Sequence, residues 1–108
     1  MATGSAWNLS NPLKPFALFD PNAVRDIPFE WIVWLTDIGS VYQSHTIIVS
    51  PGLECVQSSQ AFSVIKARIR KNPAQELIAG EKYAVTCRIV AANGEQDDQT
   101  LWLKITEK

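Results

Sequence analysis

From residue 82 to 91 apolar and polar positions alternate, with Tyr83, Val85, Cys87, Ile89 and Ala91 on one side and Lys82, Thr86 and Arg88 on the other. That is the two-residue period of a half-buried strand. Asn93-Gly94 follows, a pair that tolerates the positive φ of a hairpin turn. The alternation then resumes, with Leu101, Leu103 and Ile105 facing in and Thr100, Trp102, Lys104 and Thr106 facing out. These positions predict a C-terminal β-hairpin. Upstream, residues 29–35 are aromatic and β-branched and read as a strand, with Phe29, Trp31, Val33 and Leu35 opposite Glu30, Ile32 and Trp34. Residues 45–49 and 53–56 read as two shorter strands, divided by Pro51-Gly52. Residues 61–70 form a longer one, with Ala61, Ser63, Ile65, Ala67 and Ile69 opposite Phe62, Val64, Lys66, Arg68 and Arg70. Turns fall at Gly39 and Pro73, and no long helical period appears. The expected fold is an all-β antiparallel sandwich.

The first 19 residues break this pattern. Gly4, Ser5, Asn8, Pro12 and Pro15 oppose regular structure, while Trp7, Leu9, Leu13, Phe16, Leu18 and Phe19 are too apolar for a solvated tail. Residues 1–19 therefore read as an extended N-terminal arm that either binds another molecule or packs along its own domain. Asp20 as an N-cap and Pro21 in the first helical position predict one helical turn, leading into a sandwich over residues 20–108.

With 108 residues, 46% of them apolar, and a net charge of -1, the chain matches one domain with a modest core. No apolar run is long enough to span a membrane, and the N-terminus lacks the pattern of a signal peptide, so synthesis in a cytoplasm is expected. Cys55 and Cys87 are open to pairing, although Cys87 falls on a predicted core face where a reduced thiol is common. With His45 the lone histidine and neither cysteine at ligand spacing from a second Cys or a His, a zinc site or a Cys-His pair has almost nothing to build from.

Other chemistry is equally thin. Asp20, Asp26, Glu30 and Asp37 are spread over a turn and a strand, with no spacing that makes two carboxylates converge. Glu95, Asp97 and Asp98 lack the alternation of a calcium loop and read as a solvated hairpin tip. Lys66, Arg68 and Arg70 alternate on one face and, with Lys71, Lys82 and Arg88, outline a basic patch. Aromatics do not interleave with it, so cross-strand pairing with Glu30, Glu76 or Glu81, or contact with another protein, explains it better than nucleic acid. There is no phosphate loop, nucleophile elbow or cofactor fingerprint. An enzymatic role, a cofactor and a metal are not expected.

An aromatic surplus is left over. Of four Trp, Trp7 lies in the arm, and Trp34 and Trp102 are predicted to point away from the main core. Exposed large aromatics mark contact sites. The candidates for partner binding are Trp7, Leu13, Phe16 and Phe19 in the arm, then Trp34 and Trp102, then the hairpin tip at residues 93–98. A carbohydrate-binding or adhesin-type sandwich, with Trp34 or Trp102 stacking on sugar, is the first alternative. A small hydrolase using Asp37 and Glu30 is the second.

Taken in order, Asp20-Pro21-x-x-Val24-x-Asp26-x-x-x-Glu30-Trp31-x-x-Trp34-Leu35, Gly39, Ser50-Pro51-Gly52-Leu53, Ala79-Gly80-x-x-Tyr83-x-Val85-Thr86-x-x-Ile89, Asn93-Gly94 and Leu103-x-Ile105-x-Glu107-Lys108 resemble the small fibre-tail adaptor proteins of tailed bacteriophages. The likeness covers residues 20–108. It implies an immunoglobulin-like sandwich in the virion tail, made in the bacterial host cytoplasm and present in several copies. Its implied partners are adaptor or nozzle proteins of the tail, receptor-binding fibres or spikes, and neighbouring copies of itself, without nucleic acid or membrane. Residues 66–76 depart from the Thr- and Gly-rich stretch frequent there, and the arm lies outside the pattern. Leu77-x-x-Gly80-x-x-Tyr83 also resembles the tyrosine corner of immunoglobulin-like and fibronectin-like sandwiches, which implies structural roles for Gly80 and Tyr83.

Overall fold

A computed structural model describes residues 16–106. The described residues are mainly β, with seven strands and one short helix among them in the order β1 (Phe16–Phe19), β2 (Arg25–Glu30), α1 (Ile32–Ile38), β3 (Tyr42–Val49), β4 (Leu53–Ala61), β5 (Val64–Lys71), β6 (Lys82–Ala91) and β7 (Gln96–Ile105). The strands form a four-stranded sheet, β1-β7-β6-β3, and a three-stranded sheet, β2-β5-β4. All neighbours are antiparallel except β1 and β7, which run parallel. One core lies between the sheets: Ile27 and Phe29 of β2, Ile65, Ala67 and Ile69 of β5, Val85, Cys87 and Ile89 of β6, and Leu101, Leu103 and Ile105 of β7. The period-2 reading of β5, β6 and β7 is therefore the pattern of burial.

The expected C-terminal hairpin pairs Lys82 with Lys104 through to Val90 with Gln96. Gly94, at φ +93, closes it by donating its N–H to the Ala91 carbonyl, while Ala91 donates to Glu95. This is the three-residue loop that requires a left-handed glycine. At the other end of β6, the Tyr83 hydroxyl accepts a hydrogen bond from the Ile78 backbone N–H at 3.0 Å. Gly80, at φ +86, donates its N–H to the Ile105 carbonyl. The Tyr83 ring also lies over Gly52, where a Cβ would come within 3.2 Å of both Tyr83 and Leu77.

Four expectations are corrected. Residues 29–35 are not one strand: β2 stops at Glu30 and α1 begins at Ile32. Trp31, Trp34, Leu35 and Ile38 recur at helical spacing and pack inward, whereas Ile32, Val33 and Thr36 face out. Trp34 is consequently 5% exposed, edge-on to Trp31 at 5.4 Å between ring centres, and is not an outward aromatic. Phe19, placed in the arm as a docking candidate, is fully buried, because Phe16–Phe19 pair with Trp102–Ile105 as β1. Third, β4 continues through the polar stretch to Ala61, and β5 starts only at Val64. Ala61 pairs with Val64, so Phe62-Ser63 is a hairpin turn and not strand. Finally, Asp20 makes no helix; it closes a turn, accepting from Ala23 on its carbonyl and from Asn22 on its side chain.

Candidate interaction surface

Register brings α1, the Phe62-Ser63 turn and the β6–β7 hairpin tip to one end of the sandwich. Glu30 pairs with Val64 at the end of β2, and Tyr42 pairs with Ala91 at the start of β3. The Glu30 carboxylate knits this end together. Its Oε2 accepts from the backbone N–H of Trp31 at 3.1 Å and of Ile32 at 3.0 Å, groups that a helix start leaves unpaired. The same oxygen accepts from the Ser63 hydroxyl, and Trp31 donates its N–H to the Ser63 carbonyl. The Glu30 carbonyl accepts from buried Gln99 at 2.8 Å. Glu30, raised above as a candidate acid, thus holds the helix to the turn. After α1, Gly39 takes the left-handed conformation at φ +64, and Ser40 donates to the Leu35 carbonyl. The connection is then fastened to the hairpin tip by Ala92 N–H to the Val41 carbonyl and Asn93 N–H to the Ser40 hydroxyl.

Between α1 and the turn lies a cleft of about 390 Å³, within the ~300–1,000 Å³ range of ligand pockets. Leu35 and Tyr42 line its depth and Ile32, Val41 and Phe62 its rim, with Thr36, Ser40, Gln60 and Ser63 supplying neutral polar groups. Phe62 is 94% exposed and Val41 65%. Phe62 is also the one non-glycine residue at positive φ, +56, among the described residues. A left-handed backbone costs an L-residue roughly 1–2 kcal/mol, and the first position of a two-residue hairpin with this φ is where glycine is favoured. The chain therefore holds a large apolar ring in solvent on strained backbone. Sequence reading missed it, because Ala61-Phe62-Ser63-Val64 contains no turn-forming Gly, Asn or Pro.

The other candidates separate. Trp7 and Leu13 lie outside the described residues, and Phe16 opens β1 opposite Trp102. Trp102 is partly buried and stands opposite Ala84. The hairpin tip bonds internally through Asn93 and Glu95. The basic face is paired across strands, but with other partners than expected: Arg68 with Asp26 at 2.8 Å, Arg70 with Glu54 at 3.0 Å and Arg88 with Asp98 at 2.9 Å. The Arg68 hydrogen bond holds the Asp26 carboxyl below its usual range.

Across the gap between sheets, His45 of β3 lies 2.8 Å from the Tyr42 hydroxyl through Nδ1 and 2.9 Å from the Ser58 hydroxyl of β4 through Nε2. Burial lowers its pKa. Cys55 and Cys87 are both free thiols, and burial pushes Cys87 up to about 11. No group of three or more His, Cys, Asp or Glu suited to a metal occurs among the described residues, nor does any helix long and apolar enough to cross a membrane.

A family model, that of the podophage GP4 fiber-tail adaptor protein gp77, matches residues 20–104. The chain belongs to this family. The match spans β2 to β7 almost completely, so the cleft and the Phe62 turn are part of the adaptor domain and not an appendage to it. No curated protein matches the chain. Membership makes it a structural component of a phage tail, of a kind that meets tail and fibre components.

Proposed function

We propose that this adaptor is an immunoglobulin-like virion protein that joins the tail to receptor-binding fibres or spikes, in several copies around the tail, and that its work is binding and not catalysis. In support of the immunoglobulin-like reading, β2-β5-β4 and β3-β6-β7 have the order of the two halves of that sandwich. The Tyr83-to-Ile78 bond agrees with a tyrosine corner. The observation that carries the contact surface is Phe62, an exposed aromatic on backbone that glycine would occupy at lower cost. Strain retained in a fold points to a use, and a protruding aromatic beside an apolar cleft is how binding hot spots are built. Trp7, Leu13 and Trp102 are further contact candidates. Trp34 is buried, which removes it from the carbohydrate-stacking alternative.

The test is incorporation into tails. Phe62→Gly relieves the backbone while deleting the ring, so a folded variant that no longer enters tail particles supports this reading. A variant that assembles as well as the unaltered chain overturns it.

A further inference from the structure

Among the described residues the outer strands of the two sheets are β1, β3, β2 and β4, and they guard their free edges differently. An edge leaves alternate N–H and C=O groups without a ladder partner, and proteins blunt it with short strands, Pro or charge. β1 is four residues long, and β2 carries Pro28 among Arg25, Asp26 and Glu30. In β4 a register shift falls between Cys55 and Gln57, and beyond it residues 57–61 run in unbroken register with residues 64–68. All five are exposed, and none is charged or Pro. Such a stretch is ready to accept another extended backbone.

The side chains beside that stretch set the chemistry of its occupant. Ile65 and Ala67 of β5 are fully buried, so Val64, Lys66 and Arg68 alternate onto the outer face of the sheet. Asp26 meets Arg68 there with both oxygens, at 2.8 and 3.2 Å. Lys66 stands in register between Pro28 of β2 and Ser59 of β4, neither of them charged. The hollow over this face therefore holds two cations against one carboxylate. Ser59 is too small to screen Lys66 from a strand added beyond β4, two strand spacings or roughly 10 Å away, a gap that a lysine stem and an acidic side chain close between them. A groove of about 360 Å³ continues from Ser59 and Lys66 past Ala61 and Val64 to Phe62. The remaining edge, β3, offers no such charge, because Arg88 in the row beside it is bound to Asp98 at 2.9 Å.

We propose that β4 accepts an extended acidic segment of another tail-particle protein as an added strand along residues 57–61. One carboxylate of that segment lies beyond Ser59 and pairs with Lys66, and an apolar side chain two residues away, on the same face, packs against Phe62. Residues 57–61 of a second copy would bring no carboxylate to that position, so the charge favours a different chain. This rests on reading the protein as an adaptor whose work is binding, and it names the form and charge of what is bound.

Hydrogen exchange tests the proposal on the full chain, alone and within isolated tail particles, read along residues 57–61 by fragmentation mass spectrometry. Alone, every second amide should exchange freely; in tails those amides should slow ~tenfold or more. Amides that exchange in tails as they do in the isolated chain overturn the proposal. So does protection already present in the isolated chain, which would mean that the chain covers its own edge. Ser58→Pro and Ser59→Pro give a second reading, since one of two neighbouring N–H groups bonds to β5 and the other points away. The variant that keeps the melting temperature should enter tails ~tenfold less or worse, and normal entry overturns the added strand. Lys66→Glu should lower entry by a similar factor and Lys66→Gln by less; undiminished entry of Lys66→Glu overturns the acidic partner. If Phe62→Gly enters tails normally while the β4 amides of the unaltered chain are protected there, the reading of the α1 end falls and the added strand stands. If Phe62→Gly is excluded while those amides stay open, the strand assignment alone falls.

Discussion

Both ends of this sandwich use glycine where the backbone takes positive φ, and they differ in one residue, Phe62. At the corner end, positive φ is given to Gly52 and Gly80, at +104 and +86. The space beside Gly52 is filled by Tyr83 and Leu77, and the phenol satisfies a loop N–H. At the α1 end, Gly39 and Gly94 take positive φ at +64 and +93, but so does Phe62 at +56, and its ring is left in solvent beside Ile32 and Val41. The corner end is built as a fold requires. The α1 end departs from that economy at the one position where the departure produces an exposed apolar surface. Stability and function are therefore expected to divide between the ends, and substitutions can show whether they do.

The largest effect should come from Trp34→Ala beneath the α1 end. Trp34 is buried against Trp31, and deleting a buried Trp side chain costs roughly 3–5 kcal/mol, which chemical denaturation would register. A loss near zero would return Trp34 to the surface and erase the helix from the account. Next is Gly52→Ala, which forces a Cβ into positive φ and to 3.2 Å from Leu77 and Tyr83; a loss of about 1–3 kcal/mol is expected. Tyr83→Phe should cost about 1 kcal/mol, the worth of one hydrogen bond, with tail incorporation at permissive temperature unchanged. A binding defect in that variant would blur the division between the ends.

Phe62→Gly should move stability the other way. Relief of roughly 1–2 kcal/mol of left-handed strain outweighs the ~0.5–1 kcal/mol that glycine loses in chain entropy, so a gain of up to about 1 kcal/mol is expected in the same denaturation experiment. The smallest effect is that of pH at the sheet gap. Burial lowers His45 below its ordinary 6.5, so the unfolded chain takes up the proton first as pH falls. Its contribution is complete above about pH 6.5 and declines as pH drops below that value toward the folded pKa. His45→Gln should flatten that part of the pH–stability curve; an unaltered slope would assign it to another group.

The same contrast explains what could be read from the sequence. Strands β5, β6 and β7 declared themselves because each buries one face, and a period of two follows from the pleat. The turn at Asn93-Gly94 was legible because it uses the residues its geometry favours. The α1 end hid its structure. Trp31, Ile32, Val33 and Trp34 have the composition of a strand, and only the spacing to Leu35 and Ile38, with Gly39 just beyond, betrays the helix; tertiary packing overrode β propensity there. Polar Gln57 to Gln60 carries little strand signal, since β4 is an edge strand and these residues are exposed. Phe62 looked like one more alternating apolar residue. A site that violates local rules cannot be found by applying them.

Electron microscopy of assembled tails would show which end of the sandwich is covered. The Phe62 ring and the adjoining cleft are expected to be buried against a neighbouring protein, with the Tyr83 end free of any contact that depends on its phenol. Density in which Phe62 faces solvent while the corner end carries the tail or fibre would contradict this expectation.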